Sequence, residues 1–221
     1  MKTEINPQQF GHEQLAERLV AEYQRGLGSE TFWRLAPHLW RELATTGQPV
    51  EPERLAALAG LPREEALALL REYGEWDPGG ERVVGGGVSL LRTPHRYDTD
   101  GRTVWTWCAP DLLELPVALG EPARIQSRCA ATGDPVRVEV TPTSVEDVEP
   151  ASAVTSVVMS PPDRLGAVRQ AVCNQQNFYR DAEVAAGWLA ANPKGLLLPM
   201  ADAFEVLRRA FQRLLPAEFL R

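Results

Sequence analysis

The stretch that decides the fold is Asp100-Gly101-Arg102-Thr103-Val104-Trp105-Thr106-Trp107-Cys108-Ala109-Pro110-Asp111-Leu112-Leu113. Asp-Gly is a strong hairpin signal, and the alternation from Arg102 to Trp107 reads as one arm of that hairpin. Pro110 suits the first turn of a helix, which the pattern carries to about Leu119. A strand running straight into a helix, with Cys108 at the junction, places a thiol beside unpaired backbone N–H groups and the positive end of a dipole, both of which favour the thiolate. Asp111 stands three residues on, on the same side of the helix. A carboxyl group beside a thiolate resists ionisation, because the two charges repel, and so can hold or relay a proton. The bland alternatives are a cysteine packed as a small hydrophobe and an aspartate that only complements the helix dipole.

Outward from this segment the chain divides in two. Before it, Leu15, Leu19 and Tyr23 recur on one helix face, and Phe32, Leu35, Leu39 and Leu43 do so on a second. The segment Val50–Tyr73 reads as two short helices meeting at Gly60-Leu61-Pro62, with Leu55, Leu58, Leu67 and Leu70 filling the space between them. Asp77–Gly87 is a breaker region. After the deciding segment, Pro122–Cys129 alternates with Ala123, Ile125, Ser127 and Cys129 on one face, and Val136, Val138 and Val140 line a further strand. Ala153–Met159 is a short apolar strand. Helices are predicted at Asp163–Val172, Asp181–Ala191 and Ala201–Leu215, the last with Phe204, Leu207, Phe211 and Leu214 on one side. The expected fold class is α+β: a helical, winged-helix-like N-terminal module (residues 1–84) followed by a mixed-sheet α+β domain (residues 85–221) carrying the cysteines.

The totals remove several function classes. A net charge of −7 over 221 residues gives no broad footprint for nucleic acid. The helix–turn–helix look of Val50–Tyr73, with a wing at Arg82–Trp107, raises a DNA-binding regulator as one reading. Its charge opposes phosphate: Arg63 and Arg71 face Glu64, Glu65, Glu72, Glu75 and Asp77. No stretch reaches the roughly 20 apolar residues of a membrane span. The polar start lacks the apolar core of a signal peptide. A cytoplasmic chain with its three cysteines reduced is therefore expected. The spacing of Cys108, Cys129 and Cys173, with His12, His38 and His95 scattered, does not suit a zinc site. Gly-x-Ser-x-Gly, Gly-x-Gly-x-x-Gly and a phosphate loop are all absent from the sequence.

Val104 to Leu113 resembles the first active-site segment of the organomercurial (alkylmercury) lyase family, in which an aromatic-rich strand leads into Cys-Ala-x-Asp. Cys129-Ala130-Ala131-Thr132-Gly133-Asp134-Pro135-Val136 is similar to the next family segment, and Val148–Ser152 with the strand after it continues the likeness. Val168-Arg169-Gln170-Ala171-Val172-Cys173, followed by Phe178-Tyr179, resembles the segment with the second active-site cysteine. The resemblance covers about Arg92 to Trp188, with a looser match to the N-terminal helices and the last helix. It implies that Cys108 and Cys173 are the catalytic thiols and Asp111 the third active-site residue. It further implies protonolysis of a carbon–mercury bond to give hydrocarbon and Hg(II), with the product metal held by Cys108, Cys173 and Asp111.

The same resemblance implies that no organic cofactor is needed and that cellular thiols remove the metal. The N-terminal module either shields the site or recruits a mercuric reductase as a partner. Cys129 matches a family position without a catalytic role. Trp105 and Trp107 either wall the pocket or pack the sheet. The sequence departs from the family at Asn174-Gln175-Gln176-Asn177, where a His-containing run is common, and at Pro110, and Met1–Gly28 has no clear counterpart. A soft-metal scavenger using the same cysteines without turnover is the rival reading.

Overall fold

A computed structural model describes residues 10–27, 30–99, 101–159 and 165–220. The helices α1 (His12–Gly26), α2 (Glu30–Thr46), α3 (Pro52–Ala59) and α4 (Arg63–Tyr73) come first. Strands β1 (Glu75–Trp76), β2 (Val83–Gly86), β3 (Val88–Ser89), β4 (His95–Thr99) and β5 (Arg102–Thr106) follow, and β5 runs into α5 (Ala109–Leu119). Then come β6 (Ala123–Arg128), β7 (Pro135–Val140), β8 (Val145–Glu149), β9 (Val154–Val157), the one-turn α6 (Val168–Ala171), β10 (Phe178–Tyr179), α7 (Ala186–Ala191), β11 (Leu196–Pro199) and α8 (Met200–Leu214). The fold class is α+β, as the hydrophobic periodicities predict.

The strands form two sheets. One has eight strands in the order β1-β2-β3-β5-β4-β6-β7-β8, and the other has three, β10-β9-β11. Every pairing among the described residues is antiparallel. The β4–β5 hairpin pairs Thr99 with Arg102, and Gly101 takes a positive φ; residue 100 lies outside the described residues. Strand β6 alternates as its sequence predicts, with Ala123, Ile125 and Ser127 buried and Arg124, Gln126 and Arg128 exposed.

Helix α5 is the axis of the molecule. Every residue from Ala109 to Ala118 except Asp111 is buried. It packs against α2 and α8, while α1 lies along α8. Leu35, Leu39 and Leu43 on α2 are fully buried, each contributing roughly 1.5–3 kcal/mol. Trp33, Trp40 and Phe211 meet edge-on or stacked within ring-centroid distances of 6.5 Å. The helices of residues 12–73 thus share one hydrophobic core with the strands and α8.

Several predicted elements differ. The breaker region contains β2. Gly85 and Gly86 are buried in this strand, and a Cβ on Gly86 would stand 2.7 Å from Leu39 and 2.9 Å from Tyr73. Absence of a side chain here lets a helix and a sheet approach closely rather than breaking the chain. Between α3 and α4, Leu55 and Leu70 are buried, but Leu58 is 40% exposed and Leu67 half-buried. Ala56, Ala59 and Ala66 are buried in that region.

The helix expected at Asp163–Val172 begins outside the described residues, and its described part is a short turn followed by α6. Val172, at φ −117° and ψ −68°, caps the end of α6. The helix expected at Asp181–Ala191 is present only from Ala186. Asp181 instead accepts the Val184 N–H at 2.9 Å, closing a local turn.

Candidate active site

Cys108 is the residue at which β5 becomes α5. Its backbone is extended (φ −140°, ψ 167°), and its N–H donates to Asp111 Oδ2 at 3.1 Å, which places the carboxyl group over the helix start. Thr106 Oγ1 donates to the Cys108 carbonyl at 2.8 Å. Pro110 lies in the first turn, where a missing N–H costs nothing. Cys173 arrives from the other side of the chain, on the tight turn Cys173–Gln175 that follows α6.

The fold brings these groups together. The sulfurs of Cys108 and Cys173 and a carboxylate oxygen of Asp111 all lie within 4.8 Å of one another, with both cysteines buried. The two thiols are close enough for each to shift the other's protonation. All three candidate residues found in the sequence are therefore in one cluster.

Their electrostatics partly reverse the sequence expectation. The helix start does not make Cys108 an easy thiolate. Burial pushes its thiol well above the ordinary value, and the neighbouring Cys173 thiol and the charge of Asp111 add to this. Cys173 is eased by the neighbouring Cys108 thiol, yet burial and the Asp111 and Glu114 carboxylates still leave it raised. Asp111 is pushed up to about 7 by burial, against hydrogen bonding from Cys108. The carboxyl group resists ionisation as expected, but the main cause is loss of water rather than repulsion by sulfur. Near neutral pH the site is thus stocked with protons.

The sequence reading missed a second carboxyl group. Glu114, one turn beyond Asp111, is buried and accepts a 2.9 Å hydrogen bond from Tyr23 Oη. Burial and the Asp111 charge hold its carboxyl group well above the usual range. Its i, i+3 spacing from Asp111 was the available signal. The pocket over the cluster is walled by aromatic residues of the N-terminal helices and α8, among them Tyr23, Trp33, Trp40, Tyr73 and Phe211. Gly87 also lines it. With φ +80°, and with Tyr73 Oη 2.8 Å and Trp40 Nε1 3.0 Å from where a Cβ would sit, this position suits glycine.

Trp107 is buried against Tyr73 at 5.0 Å, with the Arg169 guanidinium 4.9 Å from its ring. Arg169 is also paired with Glu75. Trp105 is half-buried in β5, with Arg92 5.8 Å away. Neither tryptophan is part of the pocket lining, so both pack rather than wall. Cys129 is buried apart from the cluster, its N–H bonded to the Asp134 carbonyl.

Two convergent thiols and a raised carboxyl group form a donor set suited to a soft metal. The sequence profile of the alkylmercury lyase family matches residues 88–212. An alkylmercury lyase of Streptomyces lividans is 39% identical over 212 residues, covering 93% of this chain and 95% of its own. One of Bacillus cereus is 36% identical, covering 94% and 91%. A crystal structure of the mercury-bound form of MerB2 superposes with a TM-score of 0.70 at 24% identity, covering 92% of this chain and 98% of that one, a likeness of fold. The chain belongs to the alkylmercury lyase family.

Proposed function

We propose that Cys108, Cys173 and Asp111 carry out protonolysis of a carbon–mercury bond. The observation that carries this reading is the convergence of two sulfurs and a carboxylate oxygen within 4.8 Å. Soft sulfur prefers soft mercury. For a substrate R–Hg–SR′, two protein S–H bonds and the carbon–mercury bond break, and two sulfur–mercury bonds replace the bond to SR′. One thiol proton ends on carbon as R–H and the other leaves as R′SH. Asp111 is the group that takes a proton from sulfur and hands it to carbon, a role suited to a carboxyl group that titrates at about 7. Hg(II) then rests on Cys108 and Cys173, beside Asp111.

In this reading the reaction needs no organic cofactor. Small organomercurials are the substrates, cellular thiols strip the metal, and a mercuric reductase receives it. Dependence on an intracellular thiol pool places the activity in the cytoplasm. Residues 1–84, the winged-helix-like module, act as the cover: Tyr23, Trp33, Trp40 and Tyr73 line the pocket, so they keep bulk water from the reacting atoms. Residues 85–221 supply the reacting groups.

The test is incubation of the protein with phenylmercury or methylmercury and excess thiol, with benzene or methane measured by gas chromatography. Stoichiometric hydrocarbon release is expected. Tight mercury binding without hydrocarbon overturns the lyase reading in favour of a scavenger.

A further inference from the structure

We propose that Gln176 is the positioning residue that sets the span between the two sulfurs; the proposal rests on the lyase reading of the site. Gln176, in the polar run Asn174-Gln175-Gln176-Asn177 where the sequence departs from the family, is only 2% exposed. Its side-chain Nε2 donates to Cys108 Sγ at 3.4 Å, and its Oε1 accepts the Val158 backbone N–H at 2.8 Å. The second bond fixes the first. A backbone N–H can only donate, so Oε1 must face Val158 and the NH₂ must face sulfur.

The backbone of the same residue completes the tie. Its N–H donates to the Cys173 carbonyl at 3.1 Å, and its carbonyl accepts the Ala109 N–H at 3.3 Å, the first residue of α5. One residue thus fastens the Cys173 turn, the start of the Cys108 helix, the Cys108 sulfur and the end of β9. The amide occupies one lone-pair direction of Cys108 Sγ. That leaves another for Cys173 or for the mercury that both must grip. A hydrogen-bond donor also lets that sulfur keep more charge once its proton has gone.

The test compares wild type with Q176M, which matches the side chain in length without donor or acceptor, and Q176E, which keeps an acceptor for Val158 but turns an acceptor toward sulfur. Outer partners of this kind are typically worth roughly 10–100-fold. Both variants should lose kcat for benzene release by about that factor, with KM little changed. After one equivalent of Hg(II), both should also surrender metal to dithiothreitol more readily than wild type, read by thiol counting. Wild-type kcat and metal retention in a folded Q176M overturn the proposal. If neither variant folds, the test moves to the wild-type Gln176 side-chain NH₂ resonances. They should shift when Hg(II) is added, and unchanged signals overturn the proposal. A wild type that releases no benzene sinks the lyase reading alone, because metal retention still reports on Gln176.

Discussion

Cys108 and Cys129 each end a strand of the same eight-stranded sheet, and both are buried, yet their surroundings are opposite. Around Cys129, burial raises the thiol, but hydrogen bonds from Thr132 and from backbone groups at Arg180, Thr132 and Ala131 outweigh it and leave it below the ordinary value. Around Cys108, burial, a second thiol and two carboxyl groups push it far up. The thiol that ionises more easily is the one outside the cluster. What sets the Cys108 site apart is therefore convergence with Cys173 and Asp111, not a low pKa. In the proposed lyase reaction, a soft metal that displaces the proton would supply the missing drive, and Asp111 would receive the proton.

The largest effect that separates the two neighbourhoods is loss of turnover. C108S or C173S should each lower hydrocarbon release on the order of 10³-fold or more, as removal of one member of a concerted set does, while C129S keeps wild-type turnover. Gas chromatography on the three variants decides it, and equal losses would break the comparison. Next, D111A should lose about 100-fold or more in release but retain Hg(II), since both sulfurs remain. Equilibrium dialysis with hydrocarbon analysis separates the two quantities.

Smaller effects sharpen the contrast through pH. Asp111 rises from 3.8 to about 7 on folding. The stability its proton contributes is complete below 3.8 and is lost as pH rises through about 7. The thermal midpoint of wild type should fall over that window relative to D111N, which has no such proton to lose. A parallel pair of curves would reject the raised carboxyl. On the Cys129 side, His95 is bonded to Ser127 at 2.9 Å and is lowered from 6.5 to about 4 by burial. Its neutral form stabilises the fold above 6.5, and that contribution is lost as pH falls through about 4. H95Q should therefore flatten the acid limb of the melting curve, the smallest of the four effects, readable by calorimetry.

Much of this was legible without coordinates. Cys108, Pro110 and Asp111 announce a capped helix start because their roles are local: three residues of backbone geometry fix the carboxyl beside the thiol. Strand β6 and helix α8 were readable for the same reason, since one buried face imposes a period of two or 3.6 on the sequence. Gly86 was misread because its meaning depends on Leu39 and Tyr73, which are distant in sequence. Gln176 was read as an anomaly because nothing in a run of four amides says which one is buried. Glu114 was overlooked because an acidic residue on an apolar helix makes sense only once Tyr23 is found opposite it.

The sequence by itself determined the α+β class, the strand-to-helix junction at Cys108 and the family resemblance, which singled out Cys108, Asp111 and Cys173 as the candidate site. The first two follow from short-range periodicity, and the candidate trio from the matching segments. Only the tertiary structure decided that Cys173 meets Cys108, that burial rather than repulsion holds the Asp111 proton, and that Gln176 ties the two cysteines together. Those outcomes depend on desolvation and on hydrogen bonds between segments more than 60 residues apart, and no local pattern encodes how much water a group will lose when distant elements close over it.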